Sequence, residues 1–148
     1  MATAIVWFRN NLRLHDNEAL HRALDYNTII PVYVFDSHWF GETAFGFPKT
    51  GPHRGRFLLE TLQNLRDNLQ RRGADLIVRK GKTDQILAEL VEEHEASIIF
   101  TEKEVTSEEV AIEEAVMKHV KAGVEFTKGR MLFHPDDIPY KEDTIPKV

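Results

Sequence analysis

Short apolar runs alternate along the chain with segments whose apolar residues recur every three or four positions. AIVWFR (Ala4 to Arg9) is apolar almost throughout, the pattern of a strand buried on both faces. Asp16 then offers an N-cap for a helix carrying Ala19, Leu20, Ala23 and Leu24 on one side. TIIPVYVFD (Thr28 to Asp36) predicts a second strand, with Pro31 near its start, where a missing N–H costs least. After a long loop, Leu58, Leu62, Leu65 and Leu69 mark one face of a helix, which Arg71, Arg72 and Gly73 close. Cations in a last turn and a glycine just past it both suit a helix C-terminus.

The alternation continues. DLIVRKG (Asp75 to Gly81) predicts the third strand, and Thr83 opens a helix with Ile86, Leu87, Leu90 and Val91 facing inward. SIIFTEKE (Ser97 to Glu104) predicts the fourth strand. Thr106 and Glu109 form a capping-box pattern for a helix that buries Ile112, Val116 and Val120. Gly123 ends it, and VEFT (Val124 to Thr127) is the fifth strand. Strand and helix alternating through short links predict right-handed crossovers. The expected fold is therefore a doubly wound, Rossmann-like α/β domain with a five-stranded parallel sheet and helices on both faces.

Domain structure follows from length and from where the pattern stops. At roughly 100 to 200 residues per domain, 148 residues make a single domain, spanning residues 1–128. Residues 129–148 hold Pro135, Pro139 and Pro146 among Asp136, Asp137, Glu142 and Asp143, without apolar periodicity. This stretch reads as the start of an interdomain linker, so the chain is expected to be the front part of a longer protein.

Composition removes several chemistries. There is no cysteine, which excludes disulfides, thiolate metal sites and cysteine nucleophiles. No apolar run reaches the ~18 residues of a membrane span, and the short N-terminal one lacks a preceding basic region, so no membrane partner and a cytoplasmic location are expected. The net charge of −5 is unevenly spread: Lys49 to Lys80 holds eight Lys or Arg against three acids. Such a run is either an anion-facing surface or a solvated helix face.

In open α/β sheets, ligands gather at the carboxyl ends of the strands, so residues there carry the candidate chemistry. RNNLRLHDN after the first strand has no glycine, which removes both the dinucleotide fingerprint and the P-loop. No G-x-S-x-G elbow or H-E-x-x-H pair is present, and His15, His94, His119 and His134 suit surface or capping roles. Arg9 and Arg13 with Asp16 and Asn17 either cap the first helix or meet an anion or chromophore. Phe35 and Asp36 suit a planar heterocycle, or equally a buried ring beside a capping carboxylate. The loop His38 to Phe57 interleaves Lys49, Arg54 and Arg56 with Phe45, Phe47 and Phe57, a combination fitted to phosphates and bases or to anchoring the loop. Glu104 either caps the following helix or holds a polar ligand.

VWFRNNLRLHDNEAL (Val6 to Leu20) resembles the N-terminal signature of the photolyase and cryptochrome family. FGETAFGFPKTGPHRGRFLLETLQNLR (Phe40 to Arg66), EKEVTSEEV (Glu102 to Val110) and MLFHPDDIPYKEDTIPKV (Met131 to Val148) are similar to the DASH cryptochrome branch. The resemblance covers essentially the whole chain in order. It implies the family's N-terminal antenna domain, in which a light-harvesting chromophore, commonly methenyltetrahydrofolate, sits in a cleft shared with a helical domain. Glu104 matches the glutamate that reaches the pterin. Arg9, Phe35, Asp36 and Arg56 match the deeper pocket that takes a deazaflavin or FMN in some photolyases. Folate ranks above flavin for a DASH-like chain.

The resemblance also implies what these residues lack. FAD, the pocket for a damaged base pair and the tryptophan electron-transfer chain belong to the helical domain, which has no counterpart here. The parent protein is thus expected to be a light-driven pyrimidine-dimer lyase or blue-light photoreceptor, with the C-terminal helical FAD domain and damaged DNA as partners. The fragment alone is expected to have no catalytic residue and no tightly bound cofactor. Asn11 stands where the family motif carries aspartate, which implies a lost charge-assisted partner for Arg13. A stand-alone nucleotide-binding module and a nucleic-acid interaction domain using the basic stretch are the rival expectations; the first predicts ATP or AMP binding, the second steeply salt-dependent DNA binding.

Overall fold

The computed structural model describes residues 2–129 and residue 137; the predicted linker lies, but for these few, outside the described residues. The elements follow the order β1 (Thr3–Phe8), α1 (Glu18–Ala23), β2 (Thr28–Asp36), α2 (Pro52–Gln70), β3 (Ile77–Gly81), α3 (Thr83–Glu93), β4 (Ala96–Glu102), α4 (Ser107–His119) and β5 (Gly123–Thr127). All pairings are parallel and the strand order is β3-β2-β1-β4-β5. The chain thus starts in the middle of the sheet, winds outward to β3, then crosses back to β4. The switch point falls between β1 and β4, whose carboxyl ends face an open crevice.

β1 is buried on both faces because it is central, and its side chains alternate between two cores. Ala4, Val6 and Phe8 pack with Leu62, Leu65 and Leu69 of α2 and Ala19 and Ala23 of α1. Ile5 and Trp7 pack with Leu87 and Leu90 of α3 and Val116 of α4. The register Ile5 to Ile30 and Ile99, with Trp7 to Val32 and Thr101, keeps these alternating sets aligned. Two helices per face is the doubly wound arrangement that the periodicity predicts.

The differences from expectation lie at element ends. The N-cap of α1 is Asn17, whose Oδ1 accepts from Leu20 N at 3.1 Å. Asp16 instead takes a left-handed conformation (φ 48°), which aspartate tolerates, and its carbonyl and carboxylate accept from Arg13. Leu24 is 62% exposed, since α1 ends at Ala23 and the residue passes beyond the buried face. β3 begins at Ile77 rather than Asp75, because Arg66 draws the Asp75 carboxylate onto α2 with bonds of 2.7 and 2.9 Å. β4 stops at Glu102, after which Lys103 N–H gives its bond to Thr127 and the chain turns inward.

The capping box of α4 is not formed as predicted. Thr106 is the N-cap, but its hydroxyl donates to Glu109 Oε2 at 2.7 Å instead of accepting from the helix. The cause is Asn10, whose amide draws the other Glu109 oxygen toward β1 at 3.1 Å. Gly73 does supply the left-handed turn (φ 78°) that follows α2. Leu65→Ala, at a fully buried site, is expected to lower stability by about 2 to 5 kcal/mol in urea unfolding. Leu24→Ala should change it by less than about 0.5 kcal/mol.

Candidate functional site

At the carboxyl ends of β1 and β2 the sheet edge opens into a cleft of about 390 Å³. Its aromatic lining is Trp7, Phe8, Tyr33, Trp39, Phe40 and Phe57, and its polar rim includes Arg9, Asn10, Arg54, Asp36 and Glu109. α2 forms one wall and the first turns of α4 the other. A larger groove, about 790 Å³, opens between α1 and α2 along the first half of β2. A third, about 620 Å³, lies between the beginnings of α3 and α4. Neither of these two is lined by a Phe, Tyr or Trp ring, so of the three the sheet-edge cleft is the one that offers a planar ligand faces to stack on.

Arg9 leaves β1 with its side chain largely buried and is consumed internally. Its guanidinium forms an ion pair with Glu113 of α4, donates to the Glu109 carbonyl at 3.3 Å, and lies 4.6 Å from the centre of the Trp7 ring. Glu113 Oε1 also accepts the Glu104 N–H at 2.8 Å. One buried carboxylate therefore joins β1, α4 and the turn after β4. Sequence periodicity missed Glu113, because a glutamate on a helix reads as solvent-facing; its position three residues before Val116 on the buried face was the available signal.

Glu104 is fully buried, and Asn10 Nδ2 donates to its Oε1 at 2.7 Å. Asp36 is buried as well and works as a local cap: His38 N (2.8 Å), Thr83 N (3.0 Å) and the Thr83 hydroxyl (2.6 Å) all donate to it. Phe35 supports the aromatic wall, its ring meeting those of Tyr33 and Phe40 edge-on at 5.1 and 5.3 Å. Arg56 points away from the cleft lining, 81% exposed and paired with Glu60 one turn on. Asn11 gives its Oδ1 to the Arg9 N–H at 3.2 Å, whereas Arg13 pairs with Asp16. With asparagine at position 11, Arg13 bonds to the Asp16 turn instead, and residue 11 serves the backbone.

The cation that the cleft leaves for a ligand is Arg54. It is exposed at the rim and makes no hydrogen bond or ion pair among the described residues. Burial pushes the Tyr33 hydroxyl up to about 12, and the nearby Arg54 charge acts in the opposite sense. Three cations of the basic stretch are paired locally, among them Arg56 with Glu60 and Arg66 with Asp75, whose carboxyl that guanidinium holds well below the usual range. Lys49 ion-pairs with Glu108, and its ammonium holds that carboxyl low. A uniform anion-binding face is therefore not what these residues build.

His119 packs on Asp84 at 2.8 Å and on the Ala115 carbonyl, a surface role as expected, while His134 lies outside the described residues. No cluster of three potential metal ligands occurs among the described residues, and none of their helices is long and apolar enough to cross a membrane.

The family model for DNA photolyase matches residues 4–148. The chain belongs to that family. It is 44% identical over 147 residues to the blue-light photoreceptor PHR2 of Arabidopsis thaliana, covering 97% of this chain and 33% of that protein. It is 42% identical over 150 residues to the cryptochrome DASH of Gloeobacter violaceus, covering 99% of this chain and 30% of the relative. The crystal structure of a Synechocystis cryptochrome superposes with a TM-score of 0.92 at 39% identity, covering 99% of this chain and 31% of that one. The chain is therefore a photolyase/cryptochrome N-terminal domain of the DASH type, spanning about a third of the length of these relatives.

Glu113→Gln leaves the Arg9 charge buried without its partner and is expected to cost about 3 to 5 kcal/mol in urea unfolding. Tyr33 should ionise well above the ordinary tyrosine value in a titration followed at 295 nm, read by difference against Tyr33→Phe. Because its folded-state value lies above the unfolded 10.0, its contribution, on the order of 2 to 3 kcal/mol, is present below pH 10 and lost as pH rises toward 12.

Proposed function

We propose that this domain is the light-harvesting half of a DASH-type cryptochrome or photolyase, and that its sheet-edge cleft holds a planar antenna chromophore. One observation carries this: a ligand-sized cleft with aromatic walls and a single cation, Arg54, left without a carboxylate among the described residues. A volume of about 390 Å³ lies in the range of small-molecule sites. The rings Trp39, Phe40 and Phe57 would hold the plane of a heterocycle, and Arg54 would meet a phosphate or carboxylate on its tail. Asp36 and Arg9 shape the floor through the bonds they already make.

Of the two chromophore classes, this geometry favours a flavin-type ligand in the cleft over a pterin on Glu104. The Glu104 carboxylate is fully buried and takes the Asn10 amide, so a pterin would need to displace that bond. Folate remains the reading in which a second domain completes the cleft on the Glu104 side. When bound, such a chromophore absorbs light and passes the excitation through space; the protein's part is to fix its distance and orientation. In the whole protein the acceptor would be FAD in a helical domain, with blue-light photoreception or repair of pyrimidine dimers in DNA as the outcome.

The test is titration of the chain with FMN and with methenyltetrahydrofolate, followed by ligand fluorescence. The chain is expected to purify colourless and to bind FMN in roughly the micromolar range, with Arg54→Ala weakening it about tenfold, near 1.4 kcal/mol. Folate should bind more weakly. Absence of saturable FMN binding, or an unchanged Arg54→Ala variant, would overturn the assignment of the cleft.

A further inference from the structure

The wall of the cleft that is not part of the sheet or its helices is the loop from Ser37 to Gly51, which contributes Trp39, Phe40 and Thr50. The loop is internally bonded: Thr43 N and Oγ1 donate to the Phe47 carbonyl, Lys49 N to that of Gly41, and the Thr50 hydroxyl to that of Trp39 at 2.7 Å. Trp39 is half-buried and has two polar neighbours, one from each end of the loop. The His38 ring meets it edge-on at 5.0 Å, and Lys49 Nζ lies 4.6 Å from the centre of its ring.

Both neighbours converge on one atom of α4. Lys49 Nζ donates to Glu108 Oε1 at 2.5 Å, and His38 Nε2 lies 3.2 Å from the same oxygen and 2.7 Å from Lys49 Nζ. No other salt bridge joins this loop to another element among the described residues. We propose that Glu108 is a positioning residue: through Lys49 and His38 it fixes the Trp39 indole, and so sets the affinity of the cleft for a planar ligand.

This rests on the cleft being the chromophore site, but the link from Glu108 to Trp39 stands without any ligand. An ammonium held over an indole by a carboxylate is a cation–π contact whose geometry is set by the carboxylate. Removing the carboxylate frees the lysine to solvate, which unlocks the ring and the loop end together. Glu108 touches no cleft ligand, so the effect travels only through these two side chains.

The experiment has two arms. Without ligand, acrylamide quenching of Trp39 is measured by difference against Trp39→Phe in the wild type, Glu108→Gln and Glu114→Gln; circular dichroism checks that each variant folds. Glu114 is exposed on the same helix and carries the same charge. Glu108→Gln should raise the quenching constant of Trp39 about twofold and Glu114→Gln should leave it unchanged. Equal quenching in the two variants would overturn the proposal. In the second arm FMN is the probe: Glu108→Gln and Lys49→Gln should each weaken binding about fivefold, and the double variant no further. Additive losses would also overturn it. If FMN fails to bind the wild type, the chromophore reading fails, and the quenching arm alone decides the role of Glu108.

Discussion

The geometry of the sheet edge depends on the buried ion pair between Arg9 and Glu113. A charge taken out of water in a folded interior is costly unless it is paired and its remaining valences are filled. Here they are: the guanidinium also reaches the Glu109 carbonyl and the Trp7 ring, and the carboxylate also takes the Glu104 N–H. The pair sits beside the switch point, just past the last β1–β4 pairing of Trp7 with Thr101, where the ladder ends and loops continue. It ties the end of β1, the turn after β4 and the second turn of α4 into one body. The α4 wall of the cleft, including Glu109, stands where it does because Glu113 is anchored.

The two candidate chromophore positions differ in what remains available after this anchoring. Glu104 and Asp36 are both buried, and each has been recruited to hold the protein together: one through Asn10, the other at the start of α3. Arg9 is likewise spent. What the edge leaves for a guest is the set of rings and Arg54, which no carboxylate among the described residues neutralises. Excitation transfer asks for fixed distance and orientation rather than for a reacting group, so a site made of rigid walls and one polar contact is suited to it.

Strand and helix alternation was legible because β1 and β2 are apolar almost without interruption and Leu62, Leu65 and Leu69 keep helical spacing. The family was legible in the residues from Val6 to Leu20. The ends of elements were less so, since side chains far apart in sequence decide them: Arg66 takes Asp75 out of β3, and Asn10 bends the cap of α4. Site residues suffered most. Arg9, Phe35, Asp36 and Glu104 all lie at the carboxyl edge of the sheet, where Arg9, Asp36 and Glu104 bond to neighbouring elements and Phe35 packs on Tyr33 and Phe40. Arg56 and Arg54 are two positions apart on one helix, which no local pattern distinguishes; only the direction of α2 turns Arg54 to the cleft and Arg56 to Glu60.

The account's central claim is that the cleft, rather than either larger groove, receives a planar anionic ligand. Backbone amide chemical-shift mapping of the labelled chain with FMN addresses it directly. The perturbed amides should cluster at the ends of β1 and β2, in the loop from Ser37 to Gly51 and in the first two turns of α2. Shifts concentrated between α1 and α2 around Leu20 and Leu69, or between α3 and α4, or no shifts at saturating ligand, would contradict it.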